Sequence, residues 1–185
     1  MSERAELIGG VEKRDIRIVD YDSLWPQRFG LERDRITKAL GEAAIRVDHI
    51  GSTAVPGLAA KPIIDIDLSV PDVDDEAAYL GPLLAVGYQL RVRAAGHRMV
   101  RTPELDVQVH VCTAGGEWER RHLLFRDWLR RDTRDREAYE RLKRDLAGRD
   151  WTDMNAYAEA KGPLIAEITG RAEAWAQSSG WIPEG

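Results

Sequence analysis

Apolar positions in this chain change period once, near residue 113. Before that point they recur mostly every second residue in short runs. Ile16, Ile18 and Val19 predict a short strand. Ser23–Leu40 departs from this, with Phe29, Ile36, Ala39 and Leu40 at helical spacing, Ser23 as the cap and Pro26 in the first turn. Ile45–Ile50 alternates, with Ile45, Val47 and His49 on one side. A Gly- and Pro-bearing loop over 51–62 leads to Ile63–Val70, which is apolar on both faces apart from its aspartates and so belongs in the centre of a sheet. Pro71–Asp75 reads as an acidic turn and Glu76–Val86 as a helix. Tyr88–Arg93, Met99–Thr102 and Leu105–Cys112 read as strands. In the last, Leu105, Val107, Val109 and Val111 alternate with Asp106, Gln108 and His110.

After a turn at Thr113–Gly116 the pattern is helical and dense in charge. Glu117–Arg131, Arg134–Ala147 and Asp153–Ser178 each predict a helix, with Gly148 ending the second and Gly162-Pro163 breaking or kinking the third. The expected fold class is α/β (α+β): a mixed sheet with flanking helices and a helical C-terminal part packed on it, in one domain over 1–185. Within it, 1–14 is polar and expected to be loosely ordered, 15–116 carries the sheet, and 117–185 is helical.

Composition narrows the function classes. Hydrophobic residues make up 43% and charged residues 32% of 185, the balance of a soluble globular domain. A formal net charge of −5 argues against a general nucleic-acid binder. The single cysteine, Cys112, excludes a disulfide within the chain and fits a cytoplasmic setting; it reads as a small buried residue. The polar start carries no apolar leader, and no run approaches the 18 apolar residues of a membrane span, so no membrane partner is expected.

The chemistry concentrates in "HIGSTAVPGLAAKPIIDIDLSV", His49–Val70. In a strand, Asp65 and Asp67 point the same way while Ile64, Ile66 and Leu68 point into a core. Two neighbouring carboxylates need compensation by Lys or Arg, by a shared proton, or by a hard cation such as Mg²⁺. The first is the ordinary fate of a bare D-x-D. The preceding loop favours the third: after a strand ending at Ile50, Gly51 lets a ligand approach the backbone, the Ser52 hydroxyl and the amides around Thr53 can donate to phosphate oxygens, and Lys61 adds a point charge. Loop and strand together suit a metal–nucleotide complex. Relieving the repulsion with Asp65→Asn and Asp67→Asn together is expected to leave the fold intact or more stable. His49 is placed to orient the loop. His97 and His122 have no partner nameable from the sequence, and Trp128, Tyr139 and Tyr157 read as packing residues.

This loop and aspartate pair resemble the nucleotidyltransferase superfamily, and more closely its GrpB family. The likeness runs through Tyr21-Asp22, Trp25-Pro26, His49–Ile66, His110-Val111, Glu117–Arg120, Phe125–Arg130, Tyr139, Leu142-Lys143, Tyr157 and Ala160-Lys161. It implies a nucleotidyltransferase-like fold and transfer of a nucleoside monophosphate from an NTP to a small-molecule acceptor. Mg²⁺, or Mn²⁺ in its place, would be held by Asp65 and Asp67, with Ser52 on the terminal phosphates. Arg126, Lys143 and Lys161, at matched positions, would meet the triphosphate or an anionic acceptor. The superfamily's third carboxylate falls to Asp106, or is missing, in which case His110 serves as base or ligand. Relatives fused to dephospho-coenzyme A kinase permit the alternative of a non-catalytic module binding a nucleotide or phosphorylated metabolite. Metal-assisted hydrolysis through the Asp pair and His110 is a third reading.

Overall fold

The computed structural model describes residues 5–184, and its elements follow the change of period. Six strands form one mixed sheet in the order β1-β4-β5-β6-β3-β2: β1 (Glu6–Leu7), β2 (Arg46–Ile50), β3 (Ile64–Val70), β4 (Gln89–Ala94), β5 (His97–Arg101) and β6 (Val107–Thr113). All neighbours are antiparallel except β3 and β6, whose register sets Asp65 beside Gln108 and Asp67 beside His110. The helices are α1 (Trp25–Leu40), α2 (Leu80–Ala85), α3 (Glu117–Arg131), α4 (Thr133–Ala147), α5 (Met154–Ala160) and α6 (Gly162–Ser179).

The sheet has two unlike faces, and the pleat is the reason. On one face, Ile64, Ile66, Leu68 and Val70 of β3 and Val107, Val109 and Val111 of β6 pack with Trp25 and Ile36 of α1, Leu83 of α2, and Tyr79 and Tyr88. This is the main core, and burying each such side chain contributes about 1.5–3 kcal/mol. The alternate residues, Asp65, Asp67, Ser69, Gln108 and His110, face the opposite way, where α3 crosses the sheet. That face is polar yet largely buried: Ser69 donates to Glu119 of α3, and Asp67 meets His122 of α3. The C-terminal helices have smaller cores of their own. Val55, Leu58, Leu129, Tyr139 and Ile168 make one, and Leu124, Ala172 and Ala176 another.

Several local expectations change. Ile16–Val19 makes a single bridge, Val19 to Ala60, in place of a strand. The N-cap of α1 is Leu24, and the side chain that satisfies its amide is Asp22 rather than Ser23. Glu76–Val86 divides into a 3₁₀ turn at Glu76–Ala78 and the short α2, because Pro82 cannot donate within a longer helix. Asp153–Ser178 is two helices: Asp153 caps α5, and α6 restarts at Gly162 with Pro163 in its first turn. In the N-terminal lead, of which residues 1–4 lie outside the described residues, Glu6–Leu7 pairs with β4 and the Glu12 carboxylate accepts from Arg101 at 2.7 and 2.9 Å.

Candidate functional site: a lysine-lined pocket beside the Gly-Ser turn

A pocket of about 410 Å³ opens between the polar face of β3 and β6 and helices α3 to α6. Its floor is Asp65, Gln108 and His110, its edge is the turn Gly51–Thr53, and its far wall carries Lys61, Tyr139, Lys143, Tyr157 and Lys161. Arg121, His122 and Phe125 of α3 close the third side.

The turn is built for close approach. Gly51 has φ +71°, and a Cβ there would lie 2.8 Å from Asp65 Oδ2, so only glycine fits against that carboxylate. His49 hydrogen-bonds Thr53 Oγ1 through Nε2 at 2.9 Å, and Thr53 Oγ1 donates to the Ile63 carbonyl at 3.2 Å. This chain fixes the turn from behind. Burial holds the His49 imidazole down at about 4, so it acts as a neutral strut. The Thr53 hydroxyl is spent on this bracing. Ser52 Oγ, by contrast, accepts from Lys143 Nζ at 2.9 Å inside the pocket.

Three lysines reach this space from three different segments. Lys143 is buried at 3% exposure and also donates to the Ala59 carbonyl at 2.5 Å. Lys61 and Lys161 lie 5.0 and 4.7 Å from the Tyr157 ring centroid, and Lys143 lies 4.8 Å from that of Tyr139. Among the described residues none of the three is within salt-bridge distance of a carboxylate. Burial, then repulsion from the neighbouring lysines, pulls Lys143 down to about 7 and Lys161 to about 8; Lys61 is lowered by burial, against the opposing pull of Asp65.

The acids are arranged differently from a paired metal site. Asp65 faces the pocket and lies 3.5 Å from His110 Nε2. Burial opposes charge on His110, but Asp65 overcomes it, and the imidazole pKa is raised. On its other side, His110 Nδ1 lies 3.0 Å from His97 Nε2, while His97 stacks on Trp118 with ring centroids 4.5 Å apart and is held down at about 3 by burial and by the neighbouring histidines. Asp67 has no exposed surface and does not line the pocket: His122 Nδ1 meets its two oxygens at 2.8 and 2.9 Å, and burial raises its pKa.

Three expected assignments are therefore corrected. Asp67, closed off by His122, is not placed to share a pocket cation with Asp65. Asp106 stands before β6 and outside the pocket, bonded to Arg28 and Thr102, so it supplies no third carboxylate; Gln108 and His110 occupy the adjoining register positions. Arg126 is buried under β2, donating to Asp127 and to the His49 carbonyl, and serves the scaffold rather than a ligand. Among the described residues no group of three or more His, Cys, Asp or Glu side chains is set to hold a metal ion, and with both oxygens of Asp67 held by His122, Asp65 is the carboxylate of the expected pair that lines the pocket. Tyr139, Tyr157, Arg121 and His122 were not expected here. Tyr139 and Tyr157 had a signal, since both fall in the motif segments that also carry Lys143 and Lys161.

The GrpB protein family profile matches residues 15–171. This chain belongs to the GrpB family. A UPF0157 protein of Streptomyces coelicolor is 52% identical over 169 residues, covering 91% of this chain and 90% of its own length. Another, of Halalkalibacterium halodurans, is 46% identical over 162 residues, covering 86% and 83%. A dephospho-CoA kinase of Mycolicibacterium paratuberculosis is 31% identical over 202 residues, a match to 94% of this chain but 50% of that protein. Among solved structures, GrpB of Enterococcus faecalis superposes with a TM-score of 0.76 at 29% identity, covering 86% of this chain and 99% of that one. The GrpB chain thus has the family's nucleotidyltransferase-like mixed α/β fold. Among the described residues no helix is long and apolar enough to cross a membrane.

Proposed function

We propose that the pocket binds a phosphorylated small molecule, a nucleotide or another phosphorylated metabolite, without a requirement for a divalent cation. The observation that carries this reading is the convergence of Lys61, Lys143 and Lys161 on the Gly51–Ser52 turn with no carboxylate paired to any of them among the described residues. Unpaired buried ammonium groups are costly in the free protein, and a bound phosphate removes that cost while accepting charge-assisted hydrogen bonds. The segment's likeness to half of proteins named dephospho-CoA kinase supports a phosphorylated ligand, a coenzyme A precursor being one such compound.

Nucleotidyl transfer is the second reading, favoured by Asp65, a pocket carboxylate beside the phosphate-facing turn, with His110 next to it. One experiment separates the two. Melting temperatures are measured with a panel of nucleotides and coenzyme A precursors, in EDTA and in Mg²⁺. Binding to the native state raises the melting temperature by mass action. A shift that persists in EDTA and is lost in Ser52→Ala or Lys161→Met supports binding by the lysines. A shift that exists only with Mg²⁺ and is lost in Asp65→Asn rejects that reading in favour of transfer.

A further inference from the structure

Among the described residues, one buried side-chain polar atom has no hydrogen-bond partner, the hydroxyl of Tyr157. Tyr157 is 1% exposed and belongs to the pocket wall. An orphaned buried hydroxyl costs about 1–3 kcal/mol, and a native structure that keeps one needs a reason. Its neighbours suggest the reason. Lys61 and Lys161, at 5.0 and 4.7 Å from the Tyr157 ring centroid, have no hydrogen-bond acceptor and no carboxylate at salt-bridge distance among the described residues either. Three donors, two of them cationic, thus surround the same ring with nothing to donate to. Lys143 differs, because its ammonium already donates to Ser52 Oγ and to the Ala59 carbonyl.

A phenol oxygen lies about 2.8 Å from its ring centroid, which puts the hydroxyl roughly 5–6 Å from an ammonium held over the ring face. One tetrahedral oxyanion, with oxygens about 2.5 Å apart and hydrogen bonds of about 2.8 Å, spans that separation. Two ammonium groups and one neutral hydroxyl match a dianion. Asp65 favours both ammonium groups from a distance, but a dianion in contact with them matches two cations more closely than a monoanion does. The one acid facing this wall, Asp65, lies beyond salt-bridge distance from both.

We propose that Tyr157, Lys61 and Lys161 form a subsite for a terminal, dianionic phosphate, so that the pocket takes phosphate monoesters in preference to diesters, with the Tyr157 hydroxyl as the donor that reads the third oxygen. The inference rests on the reading of the pocket as a phosphate site. It goes further in setting the ligand class and in assigning recognition to a residue that the sequence reads as a packing residue.

The test uses the full chain and two probes, methyl phosphate and dimethyl phosphate, titrated at pH 7, where a monoester is mainly dianionic. Affinity is read from ³¹P NMR for the wild type, Tyr157→Phe, Lys161→Met and Ser52→Ala. The expected result is at least tenfold tighter binding of the monoester by the wild type. Tyr157→Phe should lose about tenfold of it and bring the two probes closer, with a melting temperature in the absence of probe equal to or above that of the wild type, since no internal bond is removed. Should Tyr157→Phe fold poorly, Lys161→Met carries the same expectation. Equal affinity for the two esters, or a Tyr157→Phe affinity equal to wild type while Ser52→Ala abolishes binding, overturns the subsite and leaves the phosphate reading standing. Absence of binding of either probe to the wild type overturns both.

Discussion

Lys143 offers a quantitative test of the idea that this pocket is held in readiness at the expense of stability. Its ammonium is 3% exposed and is depressed from 10.5 to about 7, first by burial and then by the charge of Lys161. The unfolded chain still takes up this proton near 10.5 while the folded chain gives it up near 7, so the unfolded state binds more protons between those values. Stability therefore rises with pH across that window and is lowest below pH 7. Each tenfold change in a protonation equilibrium is worth about 1.4 kcal/mol, so the penalty at or below pH 7 is on the order of 4–5 kcal/mol. Lys143→Met removes it. The substitution also leaves the Ala59 carbonyl and Ser52 Oγ without this donor, at a cost of about 1–3 kcal/mol. The two effects have different pH dependence. In ligand-free protein the variant is expected to be more stable than wild type by about 1–3 kcal/mol at pH 6–7. It should be less stable by about 1–2 kcal/mol near pH 10, where the wild-type lysine is neutral and still donates.

The assay is urea unfolding followed by tryptophan fluorescence, with wild type and variant compared at intervals from pH 6 to 10 in buffers free of phosphate. A difference between the two proteins that does not change with pH would show that Lys143 keeps an ordinary ammonium in the fold. A variant less stable than wild type at pH 6 would show that the lysine's hydrogen bonds outweigh its desolvation. Either result refutes the reasoning. The same free energy reappears in binding, because an anion that restores the ammonium makes ligand binding take up protons near pH 7–8.

Gly51→Ala is expected to destabilise the protein by about 2–4 kcal/mol in urea unfolding, since it adds left-handed strain at φ +71° to a methyl 2.8 Å from Asp65 Oδ2. Asp67→Ala should cost about 2–4 kcal/mol by stranding His122 against the buried face of β3, whereas Asp65→Asn should stay within about 1 kcal/mol of wild type; equal effects would show that the two acids share one environment after all. The double change of both acids to asparagine keeps an acceptor for His122 Nδ1 and removes a charge that burial disfavours, so it is expected to leave the fold intact or more stable, in contrast to Asp67→Ala. Glu12, held at about 2 by Arg101 and Arg14, has a carboxyl pKa below its unfolded value, so its contribution is complete above pH 4.5 and disappears as pH falls toward 2; after allowance for its partial exposure the loss is about 1–2 kcal/mol, absent in Glu12→Gln.

The split between what the sequence disclosed and what it withheld follows from the range of each signal. Alternation along Ile64–Val70 fixes which residues share a face, so Asp65 and Asp67 on one side of a central strand, and the apolar partners on the other, were legible from period alone. So was the Gly51 bend, since close approach to the backbone has a residue signature. Period cannot say what arrives from another segment to cover that face. Asp65 and Asp67 are two residues apart and identical in the sequence, yet one opens to the pocket and the other meets a histidine 55 positions later, on α3. That single helical contact decides which acid lines the pocket and which is enclosed. The lysines show the reverse case. In the linear chain Lys143 stands in a run of basic helix surface, where a solvated face is the ordinary outcome. The fold turns that one position inward, over Tyr139 and onto Ser52, and only the buried side of the helix distinguishes it from Arg141 and Arg144. Covering the polar face of a sheet with a charged helix keeps ionisable groups desolvated and close to one another, which is costly in the empty protein. Such an arrangement is stable only where the surrounding core carries the deficit, and the continuous apolar layer on the sheet's other face is what does so here.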